Sequence, residues 1–336
     1  MKALITGAGG FLGGAILRQW LAKGHTARSY SRSTYPDLQA LRVEQLQGDL
    51  ADAEKLQHAI QGCEIVFHVA AKAGVWGSHA EYVNINVLGT SNVITGCLAA
   101  GVRHLVYTSS PSVTFDGRDQ ECVNESVPYP KKFLANYPWT KAMAEESVLK
   151  SNGKALNTVA LRPHLIWGPG DNHLIPRLIE RARLGKLRLI RNGGKLVDTT
   201  YIENAAEAHI LAAEKLITNG QKAACAGKAY FISNGEPQTM DQIINGILHA
   251  AGLPPVTRSI SPSLAYMAGA TLECMYGLLG RKNEPPITRF VARQLSTAHW
   301  FDLSAAKRDL GYVPKISIQD GLKKLAEHFK QKSSQS

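Results

Sequence analysis

Cysteine is sparse and unpatterned in this sequence. The five residues Cys63, Cys97, Cys122, Cys225 and Cys274 are odd in number, and no pair has metal-ligand spacing. That count speaks against a disulfide framework and a structural metal site, and it predicts reduced thiols in a cytoplasm. An apolar leader is missing too: four residues separate Lys2 from Gly7, so no secretory signal is expected. Long hydrophobic runs are absent. The longest, Leu264 to Gly280, carries Glu273 and falls short of the ~20 residues that span a bilayer. It predicts no membrane span, but a helix over Ser261–Leu279 that is core or, less favoured, a groove for alkyl chains. Repeats, low-complexity tracts and a clean linker are lacking as well. Acid is short against base, 27 Asp+Glu to 38 Lys+Arg, a formal charge of +11. With no nucleic-acid motif and no aromatic-interleaved basic tract, that excess suits anionic small molecules or a plain basic surface, not nucleic acid. What is present is an ordinary folded composition, 44% hydrophobic and 19% charged over 336 residues.

The first apolar run, Lys2 to Thr6, has the length of a buried strand. It ends at Gly7-Ala-Gly-Gly-Phe-Leu-Gly13, and an amphipathic helix pattern follows, stopping at Gly24. Strand, glycine turn and helix in that order form a dinucleotide-binding fingerprint. Gly7 allows the tight turn, Gly10 admits a pyrophosphate to the backbone, and Gly13 lets the helix pack on the sheet. The free N–H groups at Phe11 and Leu12 open the helix towards the phosphates. A second strand over Thr26–Tyr30 ends in Ser31 and Arg32, where an NAD site would carry an acid. An Arg without an acid there predicts NADPH over NADH, Arg32 forking onto the 2′-phosphate. A solvated turn residue is the plainer alternative.

Further strands are expected over Val43–Gln47, Glu64–Val69, His104–Thr108 and Leu156–Arg162. Alternating with helices, they predict an α/β, Rossmann-type, doubly wound parallel sheet. Asp49, with Leu50, either lies near the adenine edge or caps a helix over Ala53–Ile60. Ala70 begins a small-residue loop that lets backbone pass close to a cofactor. Asn86, in a helix around Glu81–Ala99, is either a buried amide able to hold a water near Lys141 or a surface amide. Ser110 ends a strand where parallel sheets bind ligands. Pro111 to Pro130 is polar and reads as a loop. Pro163, closing the sixth strand, is a further cofactor contact.

Tyr137-Pro-Trp-Thr-Lys141 is the catalytic candidate. A phenol and an ammonium four residues apart share a helix face, and Pro138 places Tyr137 at the helix start. The ammonium is expected to lower the phenol's pKa towards neutrality. A hydroxyl at Ser110 to bind a carbonyl, and a phenol to protonate it, make a reductase site.

Gly7, Gly10, Gly13, Asp49, Ser110, Tyr137 and Lys141, in this order, resemble an extended short-chain dehydrogenase/reductase. Val106 to Ser110, Leu161 to Pro163, Trp167 to Asp171 and Asp198 to Asn204 resemble its 3β-hydroxysteroid dehydrogenase branch. Ala71 to Gly77, Lys228 to Pro237, Glu284 to Phe290 and His299-Trp300 are similar to the NADPH-dependent 2-alkyl-3-oxoalkanoate reductases of bacterial long-chain olefin biosynthesis. The resemblance implies a Rossmann core over 1–165, to which some later segments return, and a smaller substrate lobe over 166–330. A frayed tail, 331–336, follows. It implies reduction of a long-chain 2-alkyl-3-ketoacid by NADPH, with Lys141 on the nicotinamide ribose. Partners would be a thiolase-like condensing enzyme, a β-lactone synthetase and a β-lactone decarboxylase, with a homodimer possible. A sterol dehydrogenase and a non-catalytic NADP sensor are the competing readings.

Overall fold

Seven parallel strands form the centre of the computed structural model, which describes residues 1–281 and 283–334. Their spatial order is Lys228–Ile232, Asn157–Pro163, His104–Thr108, Ile65–His68, Lys2–Thr6, Thr26–Ser31 and Glu44–Gln47. The inner strands Lys2–Thr6, Ile65–His68 and His104–Thr108 are mostly apolar and buried because both faces are covered. Ile5, Phe67, Val106 and Leu161 face one core with Trp20 and the helix Ile202–Asn219. Their neighbours Leu4, Val66, Leu105 and Ala160 face the other, with Leu56, Val93 and Val148. The chain leaves Lys2–Thr6 towards one edge, then returns to Ile65–His68 on the other side of it. That reversal opens a crevice at the carboxyl ends of these strands.

The doubly wound sheet is as expected, with strand ends moved by a residue or so. Segments from beyond residue 165 complete the sheet: Lys228–Ile232 is its edge strand, and Ile202–Asn219 covers one face. Pro111 to Pro130 is not a plain loop. It holds a buried 3₁₀ turn, Pro111–Thr114, and a strand, Gln120–Val123. That strand pairs with His299–Phe301 in a second, four-stranded sheet with Leu196–Val197 and Gln238–Thr239. The partner is far away in sequence, so no local pattern announces it.

The apolar stretch forms a helix, Pro262–Leu278, capped by Ser261. It is not a core helix. Only Ala265 and Gly269 are buried, while Met267 is 65% and Leu278 83% exposed. The last helix, Ile318–Ser334, runs through most of the expected frayed tail; Gln335 and Ser336 lie outside the described residues. A continuous helical stretch, His79–Ala100, is long and apolar enough to cross a membrane, which the sequence reading did not single out. Here it flanks the central sheet beside Ala53–Ile60 and Asn136–Lys150. All five cysteines are free.

Candidate active site

The crevice is a cavity of about 680 Å³. Gly7, Gly10, Phe11, Leu12, Gly13, Leu50, Ala70 and Pro163 line it, as do Arg32 and Asp49 on one side of the strand reversal and Ser110 and Tyr137 on the other. Gly7 takes φ 71°, and a Cβ on Gly13 would lie 2.2 Å from the Gly7 carbonyl oxygen. The turn and the close packing therefore both demand glycine. The helix Phe11–Ala22 starts without a side-chain cap, so its first N–H groups face the crevice unpaired by any side chain. An uncapped helix end beside a glycine turn fits a pyrophosphate. Asp49 does not cap Ala53–Ile60. Asp52 does, accepting from the Lys55 N–H at 3.1 Å, while Asp49 accepts from the Ala51 N–H at 2.9 Å and lines the crevice.

The loop at Ala70 is held by residues that sequence reading missed. The Thr6 hydroxyl oxygen accepts from the Val69 and Ala70 N–H groups, at 3.0 and 3.1 Å. Its proton then goes to His68 Nδ1, at 2.9 Å. His68 Nε2 faces Thr90 Oγ1 at 3.0 Å, and that hydroxyl donates to the Asn86 carbonyl at 2.6 Å. So Nε2 carries the proton. Burial pushes His68 down to about 3, which keeps the ring neutral in this role.

Tyr137 and Lys141 both stand on the helix Asn136–Lys150, Tyr137 in its first turn. Lys141 is buried. Its ammonium donates to the Thr108 carbonyl at 2.5 Å and lies 4.2 Å from the Tyr107 ring centre. The expected pKa direction is reversed. Burial raises the Tyr137 phenol above its ordinary value, and a hydrogen bond with the Ser110 side chain only partly offsets this. Lys141 falls to about 7, again through burial, against the pull of Glu145. Desolvation disfavours both charged forms, and here it outweighs the effect of Ser110 on Tyr137 and of Glu145 on Lys141. Ser110 Oγ also lies 2.9 Å from Ser112 Oγ and accepts from the Ser112 N–H.

Asn86 is no surface amide. It is buried in a π-helical turn, Val83–Leu88, and its side chain is satisfied by protein: Oδ1 accepts from the Lys72 N–H, while Nδ2 donates to the Lys72 carbonyl and to Thr140 Oγ1. Glu145, one turn beyond Lys141, is fully buried. It accepts from Arg162 Nε at 2.9 Å, Arg162 Nη2 at 2.6 Å and the Tyr129 hydroxyl at 2.6 Å. Its signal was present: eight residues after Tyr137, it continues the same helix face.

Residues 4–261 match the 3-beta hydroxysteroid dehydrogenase/isomerase family. The chain belongs to that family. Its members here are extended short-chain dehydrogenase/reductases, and the chain is an oxidoreductase taking a nicotinamide cofactor. It is 53% identical to a Shewanella oneidensis protein named 2-alkyl-3-oxoalkanoate reductase, over 96% of this chain and 85% of that one. A Stenotrophomonas maltophilia protein of the same name is 52% identical, over 97% and 98%. The mouse sterol-4-alpha-carboxylate 3-dehydrogenase, decarboxylating, is 33% identical over 98% and 91%. Among solved structures, the UDP-glucuronic acid 4-epimerase of Bacillus cereus in complex with NAD shares the fold, with TM-score 0.75 and 23% identity over 98% and 99%.

Proposed function

We propose that this protein reduces the 3-keto group of a long-chain 2-alkyl-3-oxoalkanoate to the 3-hydroxy acid, with NADPH as its cofactor. The observation that carries the reaction type is Ser110 and Tyr137 together lining one end of a dinucleotide crevice, with Lys141 on the same helix as Tyr137. The substrate class rests on the two relatives above that bear its name. The bound nicotinamide would supply hydride to the carbonyl carbon. Ser110 donates to the carbonyl oxygen, where negative charge grows. Tyr137 gives that oxygen its proton. With its phenol held above the ordinary value, Tyr137 is protonated at neutral pH, the form a proton donor must have. The Lys141 ammonium offsets the charge left on the phenol. Arg32, beyond Ser31 and without an acid at the strand end, would hold the 2′-phosphate.

The same proposal divides the chain near residue 165 into a cofactor core and a substrate lobe. It sets the protein in the cytoplasm, beside a condensing enzyme, a β-lactone synthetase and a β-lactone decarboxylase. The joint presence of Ser110, Tyr137 and Lys141 weighs against a silent NADP sensor. Consumption of NADPH is followed with a 2-alkyl-3-oxoacid, and its production with a 3β-hydroxysteroid plus NADP+, each repeated with the other cofactor pair. Turnover of the oxoacid with a preference for NADPH is expected. Turnover of the steroid alone would refute the substrate assignment.

A further inference from the structure

A 3-oxoacid brings a carboxylate two carbons from the carbonyl that is reduced. Taken out of water without a partner, that anion is costly. A cation in the same crevice would offset that cost. Among the described residues, the Lys and Arg side chains lining the crevice are Arg32 and Lys72. Arg32 follows the strand Thr26–Ser31, on the far side of the strand reversal from Tyr137. Lys141 does not line the cavity, and its ammonium is committed to Thr108. We infer that Lys72 receives the substrate carboxylate and makes the enzyme selective for free acids. This rests on the substrate class proposed above and names the residue that reads it.

The mounting of Lys72 supports the role. Asn86 clamps both its backbone groups, at 2.7 and 3.2 Å, and the same amide holds Thr140, the neighbour of Lys141, at 3.1 Å. One bracket thus fixes Lys72 relative to the helix bearing Tyr137. The side chain has a prepared resting place. Its ammonium lies 3.1 Å from Glu81 Oε1 and 5.2 Å from the Tyr82 ring centre. A Cβ on Gly77 would come within 2.9 Å of Lys72 Cε and 3.2 Å of Nζ, so a larger residue there would push the chain aside. Glu81 is a carboxylate in the position of a placeholder. Its side chain is half exposed, so water screens its hold on Lys72. Exchange for a substrate carboxylate in a drier place is therefore cheap.

The test uses the full-length enzyme, NADP+ and a 2-alkyl-3-hydroxyacid, which unlike the oxoacid does not lose carbon dioxide by itself. Its methyl ester is the comparison. For Lys72→Ala the acid-over-ester ratio of kcat/KM is expected to fall about 10- to 100-fold, the worth of one hydrogen bond to a charged group. The loss should sit in KM for the acid, and Lys72→Arg should restore most of it. NADPH affinity, read by fluorescence titration, should stay within about twofold. An unchanged ratio overturns the inference alone. So does a weakened NADPH affinity with equal losses on acid and ester, which would make Lys72 a cofactor contact. A wild-type enzyme inert on the acid and its ester overturns the substrate reading, and this inference with it.

Discussion

Two helices of this molecule invert the usual rule of burial. Asn136–Lys150 carries Tyr137, Lys141 and Glu145, yet it buries Thr140, Lys141 and Glu145. Pro262–Leu278 carries Leu264, Met267, Met275 and Leu278, yet leaves all four exposed. Hydropathy alone would have exchanged the two. The first is tolerated inside because nearly every polar atom has a partner: Thr108 for Lys141, and Arg162 with Tyr129 for Glu145. The second is held mainly along one edge. Glu273 accepts from Arg289, Trp76 packs edge-on to Tyr276, and Gly269 lies against the backbone at Thr288 and Arg289. Buried charge thus marks where the chemistry is, and exposed oil marks where no other element among the described residues covers the surface.

The contrast predicts where substitutions hurt. Tyr137→Phe removes the proton donor and should lower turnover by about 10²- to 10⁴-fold while leaving NADPH binding intact. Single-turnover kinetics with a fluorescence titration checks both, and near-normal turnover would remove Tyr137 from the mechanism. Glu145→Ala leaves Arg162 buried without its counter-charge. Breaking such a pair costs about 3–5 kcal/mol, to be read from denaturant midpoints; a loss under about 1 kcal/mol would mean that water reaches Arg162.

Lys141 ties stability to pH. Burial lowers its pKa from 10.5 to about 7. Between those values the unfolded chain binds the proton more tightly than the folded one, so stability should rise with pH across that window. Lys141→Met removes this burden. It should raise Tm by about 2 to 4 °C near neutral pH, with the gap to wild type closing as pH rises towards the unfolded pKa. The same ammonium supports the reaction only while protonated. The rate of reduction should therefore fall as pH rises through about 7. A Tm gap that is flat with pH would show that Lys141 titrates normally.

How much of this the sequence disclosed depends on distance along the chain. The glycine turn was legible because strand, turn and helix are consecutive residues. Tyr137 and Lys141 were legible because four residues make one helical turn. Their pKa directions were not, since burial is contributed by the strand His104–Thr108, the 3₁₀ turn Pro111–Thr114 and the π turn around Asn86. Asp198 and Asn204 were visible only through family likeness, and their work is structural. Asn204 accepts from the Lys315 and Ile316 N–H groups and donates to the Ile316 carbonyl and to Asn234. Asp198 accepts from the Phe301 N–H. Burial pushes that carboxyl up to about 6. Gln120–Val123 was missed because its partner strand comes near residue 300.

The smallest effect belongs to the exposed helix. Met267→Asp and Leu278→Asp place a charge on side chains 65% and 83% exposed. Surface changes away from special features usually stay within ±0.5 kcal/mol, and Asp costs the helix interior roughly as much through propensity. Both variants should fold, with denaturant midpoints near wild type and an unchanged m-value. Unfolding by either one would mean that this face is covered in solution by something outside the described chain. It would also restore the sequence-based picture of a buried helix and erase the contrast with Asn136–Lys150.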